Sequence, residues 1–569
     1  MLKKILCILF CVVSLLLAGE TTQTFLENKD NTNSKTNFRS RTELMPGFPV
    51  NVGYSFVKPP TVFDITGDGH PEIFQSHGDF VWAFDYQGNI LDNWPFGESE
   101  YNDSSGPAIA DINSDGIPEI VVQLYGENLW VLNPEAVALP GFPFTYNSSS
   151  MSSSGNTAVL AQMDDNEEDL EIIIPFGKRY VEETSSFNEA GIFAFDNQGN
   201  LLEGFPHIFY DQSQCFNICV GDIDGDDENE IVAAVLNGTG DASSGNLFVF
   251  ERDGSIKDGF PLDANGWVIW CSLVDIDNDG TPEIFYSSLD RNLYAVDADG
   301  SSLPGFPVNC SQMLWGQPTP GDIDGDGDIE IIVAGSNIFY AFHHDGSPVS
   351  GWPISGADYA NQFPLIVDVD EDGDGEVFLG FAENIYCYDG NGELMPGDYP
   401  IVLDDKLASA MLVTDADLDG DMELLACSRY PANNMYLFDL DYPYSEEAVQ
   451  WGMFNQNPQH TGVLILEQYN QVSDDLMPIS VKHFNYPNPF NPSTTIHYSL
   501  NTPSNLELTI YNINGQKINT LKNEFHNSGD YSVVWSGKDS KGKPVSSGIF
   551  LYKIQTDNTS SFGKMLLLK

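Results

Sequence analysis

Positive charge is what this chain most lacks. Against 84 Asp and Glu stand only 23 Lys and Arg in 569 residues, a formal charge of −61. A polyanion of that size repels nucleic acid and anionic membrane surfaces, which excludes both as partners and leaves a cation as the natural counterpart. Cysteine is scarce as well. Cys7 and Cys11 lie in the N-terminal apolar run, and Cys215, Cys219, Cys271, Cys310, Cys387 and Cys427 are too few for a disulfide scaffold in so long a chain. Cys215 and Cys219 are near enough in sequence to pair, but buried thiols are the simpler reading, and no Cys/His spacing suits zinc. Beyond residue 17 no apolar run approaches a transmembrane length, and no helical periodicity of useful length appears. Gly-x-Ser-x-Gly, His-Glu-x-x-His and phosphate-loop patterns are missing, and the nine His show no nucleophile–base spacing. No residue is nominated as catalytic.

What remains is ample for a folded core: 41% hydrophobic and 12% aromatic residues. Residues 1–19 read as a secretory signal, with Lys3 and Lys4, an apolar run from Ile5 to Leu17, then Ala18 and Gly19. Glu20 stands where a lipoprotein would need Cys. A polar linker, 20–43, follows. Charge is also unevenly spread. From Lys482 onward there are nine Lys and five acids, a net of +4, so the preceding part carries about −65.

An internal repeat dominates that acidic part. A nonapeptide starts at Asp64 (DITGDGHPE), Asp111, Asp222, Asp275 (DIDNDGTPE), Asp322, Asp368 and Asp415, with a worn copy, MDDNEEDLE, at Met163. The starts lie 46 to 59 residues apart, the period of a propeller or an array of similar units. Each unit holds an apolar strip before the nonapeptide, a β-branched run after its Glu, a third strip, a D/H-x-x-G-like turn, and Gly-Phe/Trp-Pro. Four short strips separated by turn residues make an antiparallel meander. One meander cannot bury both faces, and radial stacking leaves no long exposed edge. The expectation is an all-β chain: an eight-bladed β-propeller over 44–465, with a seven-bladed ring as the alternative. Residues 46–50 or Trp451–Phe454 would supply the closing strand.

Positions one, three, five and nine of each nonapeptide carry oxygen donors, and position six is usually Gly. Several carboxylates on one side of a loose, tight-turning loop select a hard cation, and Ca²⁺ over the strictly octahedral Mg²⁺. About seven structural Ca²⁺ sites are therefore expected. Their ligands are Asp64, Thr66, Asp68 and Glu72; Asp111, Asn113, Asp115 and Glu119; Asp222, Asp224, Asp226 and Glu230; and Asp275, Asp277, Asp279 and Glu283. Asp322, Asp324, Asp326 and Glu330; Asp368, Asp370, Asp372 and Glu376; and Asp415, Asp417, Asp419 and Glu423 complete the set. The third copy, with Met163 at the first position and Glu168 at the Gly place, is expected to bind nothing. An EF-hand is excluded: position twelve holds Gln75, Val122 or Tyr286, and the flanks read as strands. The repeated DxDxDGxxE loop between two strands resembles the FG-GAP/VCBS-type calcium repeats of integrin α-subunit propellers and of many bacterial surface proteins. The resemblance implies the propeller and calcium more than any activity.

After a second linker, 466–481, the text changes. Leu506, Leu508 and Ile510 alternate with Glu507, Thr509 and Tyr511, and Asn514-Gly515 supplies a turn, giving a small Ig-like β-sandwich over 482–569. Tyr486-Pro487-Asn488-Pro489-Phe490, Trp535 to Asp539, Ser547-Gly548 and the closing Lys564 to Lys569 resemble the C-terminal sorting domain of the type IX secretion system. They also resemble the Ig-like domain of flagellar hook-capping proteins. The first likeness implies contact with the outer-membrane secretion machinery of a Gram-negative cell and a secreted or cell-surface destination. Strand order puts the acidic loops on one rim and the longest insertions, Lys178–Ala190 and Asn237–Asn246, on the other. That second rim carries Tyr54, Tyr101, Trp267, Trp270, Trp315 and Phe363, candidates for binding an extracellular glycan or protein, though interblade packing explains aromatics there too. A binding or adhesion propeller is the leading reading; a polysaccharide lyase on the same scaffold is the alternative.

Overall fold

The computed structural model describes residues 42–464 apart from 53–57, 79, 98–103, 125–127, 146–156, 165–168, 182–185, 211, 238–243, 278, 362, 430 and 446–447. It also describes 483–567 apart from 487–489, 491, 501–503, 513–516, 528, 539 and 557–559. The signal segment, the second linker, the first linker up to residue 41, Tyr54, Tyr101, Glu168 and the Asn514-Gly515 turn lie outside the described residues, while Thr42 and Glu43, expected in the linker, belong to a strand of the propeller. The chain divides into two compact units, one ending at Glu467 and the other starting at Gln468.

The first unit is a ring of eight meanders whose innermost strands begin at Thr61, Ala108, Val159, Gln212, Val268, Thr319, Leu365 and Leu412. Within each blade the strands pair antiparallel in chain order. Second strands such as Glu72–His77, Glu119–Leu124 and Glu376–Phe381 are buried at every position. Sheets covered on both faces explain why they read as unbroken β-branched runs rather than as alternating ones. Third strands such as Asn128–Leu132 and Asn292–Val296 lie nearer the outside and do alternate.

Apolar side chains fill each interface between blades. Ile120 and Val122 of blade 2 pack with Phe74 of blade 1, and Met45, Phe48, Val62 and Ile73 pack with Leu425 and Leu437 of blade 8, closing the circle. At about 1.5–3 kcal/mol for each fully buried aliphatic or aromatic side chain, these seams dominate the favourable energy. The Gly-Phe/Trp-Pro signature has a place here. At Gly204 and Gly351, φ is near +90° and a side chain would collide with the turn carbonyl of Asp253 or Asn391 in the next blade. Glycine is needed for both the conformation and the close approach. Trp94-Pro95 and Tyr399-Pro400 fill the same place in blades 1 and 7, with Asn93 and Asp398 instead of Gly, and all eight aromatic–proline bonds are cis.

The ring closes through its N-terminal side. Thr42–Leu44 and Val50–Asn51 pair antiparallel with the third strand of blade 8, Asn434–Pro443. This settles the choice left open by the sequence and leaves Trp451–Phe454 for another task. Residues 448–464 run into the central channel. Val449 and Trp451 pair with Val367 and Ile366 of blade 7. Gly452 O accepts the Val413 N–H of blade 8 at 3.0 Å. The carbonyls of Pro458, Gln459, Thr461 and Gly462 then accept from Ile109, Leu160, Val220 and Leu273 of blades 2 to 5 at 2.9–3.0 Å. In blade 1 Thr61 Oγ1 lies 3.2 Å from His460 Nε2, and in blade 6 Gln317 Nε2 donates to Asn455 Oδ1 at 2.6 Å. Inner strands would otherwise present an open row of N–H groups to the channel, and the inserted chain satisfies them. Blade 6 has Pro320 at the middle position, with no N–H to satisfy. Val463–Leu464 run parallel to Leu273–Val274, so the chain leaves toward the rim where it entered.

The six remaining cysteines are buried thiols; Cys219 Sγ and Cys271 Sγ stand 3.5 Å apart on neighbouring inner strands. The second unit is a sandwich of a three-stranded and a four-stranded sheet. Its core holds Leu506, Leu508 and Ile510, as the alternation predicts, with Phe490 against Trp535 and Trp535 against Phe550 at 5.5 and 4.9 Å.

Candidate metal centres

Each nonapeptide joins the first and second strands of its blade. Its opening Asp organises the turn: Asp64 accepts the N–H groups of Gly67 and Gly69 at 2.7 and 2.9 Å, and Asp322 those of Gly325 and Gly327 at 2.8 and 3.0 Å. The fifth-position Asp caps the exit; Asp68, Asp115, Asp226, Asp279 and Asp326 each accept the N–H two residues on at 2.9 Å. These local bonds pull the side chains inward. Donor oxygens of Asp64, Asp68 and Glu72 come within 4.8 Å of one another, as do those of Asp275, Asp277 and Asp279, and of Asp370, Asp372, Asp374 and Glu376. Asp374, at position seven, is not among the expected ligands; its side chain joins the cluster.

The ninth-position Glu begins the second strand in the other blades and stands third in Asp421–Cys427 of blade 8, and it is buried in every blade, at 0–5% exposure. One oxygen always accepts the second-position N–H, as Ile65 to Glu72 and Ile276 to Glu283, both at 2.9 Å. Burial is the main cause that raises these carboxyls, with the neighbouring Asp charges adding to it. Glu119, Glu283 and Glu330 are pushed up to about 7, Glu230 and Glu423 to about 8, and Glu376 to about 9. The loops differ in what meets the other oxygen. Thr66 Oγ1, Asn113 Nδ2 and His343 Nδ1 lie 3.2, 2.9 and 2.9 Å from Oε1 of Glu72, Glu119 and Glu330. Oε1 of Glu230 and Oε1 of Glu423, both fully buried, have no hydrogen-bond partner among the described residues, but the charge of Lys257 already acts on Glu230 and works to lower its carboxyl. The Glu423 oxygen left so, among Asp415, Asp417 and Asp419, fits a hard cation that would hold the carboxyl ionised.

The third loop differs from its expected frame. Met163 N–H donates to Glu171, as second-position residues do elsewhere, and Met163 is 2% exposed like their Ile side chains. Gln162 therefore stands at the first position, Met163 at the second, and the loop is one residue longer than its siblings. The sequence frame aligned the acids and so missed the insertion. In the fourth loop Asp224 Oδ2 is 2.6 Å from Lys257 Nζ, a neighbour that the motif did not announce.

On the opposite rim Trp270 meets Phe363 edge-on at 5.1 Å, and both pack on Phe454 of the inserted segment, at 5.8 and 5.3 Å. Trp270 Nε1 donates to Trp315 O at 2.9 Å. Trp267, Trp270, Trp315 and Phe363 are all half-buried. Beside them lies a group absent from the sequence reading: the Tyr359 ring, with Lys406 Nζ at 5.0 Å and Arg429 Cζ at 4.9 Å.

Residues 64–122 match the FG-GAP-like repeat, and residues 491–560 match the FlgD Ig-like domain. The chain matches no curated protein. Among solved structures it is similar to the V. cholerae biofilm matrix protein Bap1, at 13% identity over 75% of this chain and 96% of the other, with a TM-score of 0.42. The Dos1 propeller gives 11%, 70%, 95% and 0.46. PorZ, a surface component of the type-IX secretion system of Porphyromonas gingivalis, gives 10%, 92%, 61% and 0.35. The chain is a β-propeller in which one stretch matches the FG-GAP-like repeat, followed by a β-sandwich that matches the FlgD Ig-like domain.

Proposed function

We propose that this is a secreted or cell-surface binding propeller: one rim is braced by Ca²⁺ and the opposite rim captures an extracellular glycan or protein. The observation that carries the calcium reading is Glu423 Oε1, a buried carboxyl oxygen with no hydrogen-bond donor among the described residues, inside a loop of three Asp. The loops opened by Asp64, Asp111, Asp275, Asp322, Asp368 and Asp415 would hold the ions, which supply positive charge that lets each cluster ionise and ties the first strand of a blade to its second. The inserted segment fills the channel, so a ligand is offered the rims rather than a pore.

The rim away from the acids supports the binding reading. Of the eight Lys and Arg between residues 42 and 467, four lie in the links of that rim, Lys58, Arg291, Lys406 and Arg429, and two more, Lys178 and Arg179, stand toward the end of the strand Glu171–Val181 that runs to it. Cations flanking the Tyr359 ring offer stacking and charge together, a surface suited to sugar rings or acidic peptide. Among the described residues no helix is long and apolar enough to cross a membrane. Export through an outer-membrane secretion machinery recognising the Ig-like domain completes the proposal. Removing 482–569 in a type IX-competent host should then trap the chain inside the cell. For the binding face, the purified protein is screened on glycan and matrix-protein arrays, with uronic-acid release assayed alongside. Tyr359→Ala with Arg429→Ala should lower capture at least tenfold while leaving Tm in calcium within a few degrees; capture unchanged by the pair would overturn the assignment of this rim.

A further inference from the structure

In seven blades the residue that returns the chain after the third-strand turn donates its N–H to a third-strand carbonyl. Leu91, Leu139, Leu202, Leu303, Val349 and Met395 do so to Ala83, Val131, Ala194, Ala295, Ala341 and Cys387, and their side chains pack into the interblade core. In blade 4 the same bond, to Val249 at 3.0 Å, is made by Lys257. A lysine thus occupies an aliphatic slot, 8% exposed. Its stem runs along the core and its ammonium surfaces inside the acidic loop, 2.6 Å from Asp224 Oδ2 and 3.1 Å from Glu251 Oε1.

We infer that the ammonium of Lys257 braces the fourth loop in place of a metal ion, so that this loop alone among those with the full acidic pattern is built without calcium. The inference rests on reading the other acidic loops as calcium sites. Donor oxygens of Asp222, Asp224 and Glu230 converge within 4.8 Å, and the positive charge among them is already covalently attached. A divalent ion there would have to sit beside the ammonium or strip it from Asp224. The loop keeps its shape meanwhile: Asp222 accepts the N–H groups of Gly225 and Asp227 at 2.7 and 2.9 Å, and Asp227 takes the glycine place at φ 69°. The ammonium bonds hold Lys257 protonated against the burial that works to discharge it.

The neighbouring irregular loop is served from the same turn. Arg252 Nε donates to Met163 O at 2.8 Å, and its Nη1 lies 3.2 Å from Glu228 Oε1, tying the third loop to the fourth. Arg252 and Lys257 are the two Lys or Arg of the propeller placed on the acidic rim, and both stand where the nonapeptide departs from its pattern.

The test replaces the charge and keeps the bulk. Lys257→Met should create a calcium site, raising the number of ions bound, counted by native mass spectrometry and by equilibrium dialysis, by one over wild type. In chelator it should melt below wild type, and calcium should close the gap. Lys257→Arg keeps a cation and should add no ion; Lys257→Gln provides the same reading as Met if the latter folds poorly. An unchanged ion count together with equal melting in chelator overturns the inference. A wild type that binds no calcium instead sinks the reading of the other loops, and the chelator comparison still decides whether Lys257 braces the fourth.

Discussion

At the scale of single residues, the buried Glu at position nine sets how this protein responds to pH. An unfolded Glu titrates near 4.3, while Glu119 and Glu283 stand at about 7, Glu423 at about 8 and Glu376 at about 9 in the folded chain without metal. A carboxyl raised on folding contributes stability below its unfolded pKa and loses it as pH climbs through the folded value. In chelator, therefore, Tm should fall between about pH 5 and about pH 9, and saturating calcium should flatten the curve by holding the carboxylates charged; differential scanning calorimetry reads both. Glu423→Gln makes the complementary point. It should raise Tm in chelator at pH 8, because an amide costs less to bury than a carboxylate, and shrink the increment calcium provides. The spacing of Asp and Glu made these positions visible in sequence. Their burial was not, because an acid that opens a strand looks like any solvated turn residue. Lys257 was hidden more deeply, since a lone lysine in an acidic turn reads as surface until its siblings prove to be Leu, Val and Met.

Strands and turns were the most legible level. Strip lengths, β-branched runs and punctuating glycines give the meander and its eightfold repetition, and the Gly-Phe/Trp-Pro signature marks where one blade touches the next. Gly351→Ala combines a positive φ with a clash against Asn391 and should cost at least about 1–3 kcal/mol, seen as a lower denaturant midpoint. The channel segment was not legible. Trp451–Phe454 has the composition of a strand, and nothing local says whether it closes the ring or enters it. Its partners are remote, as with Thr61 and His460, 399 positions apart. Asn455 is the clearest probe: its Oδ1 accepts from Gln317 and Asn217, and its Nδ2 donates to His460 O at 3.1 Å. Asn455→Ala leaves those buried groups unpaired and should cost about 1–3 kcal/mol. A variant as stable as wild type would mean that the channel contacts contribute little.

Across the propeller, charge is divided by topology: the nonapeptide acids of every blade gather on one rim, and of the eight propeller cations Arg252 and Lys257 alone stand there. Repulsion among the loop acids works against the compact state unless cations offset it. A ligand at tenfold its dissociation constant stabilises by roughly 1.4 kcal/mol for each site, so six occupied loops supply roughly 8 kcal/mol, comparable to the roughly 5–15 kcal/mol net stability of an ordinary domain. The most direct measurement is the melting temperature of the purified propeller in excess EGTA, then in millimolar calcium, then in the same concentration of magnesium. The account requires a large rise with calcium, little with magnesium, and full reversal on adding chelator back. Identical melting in all three would contradict it.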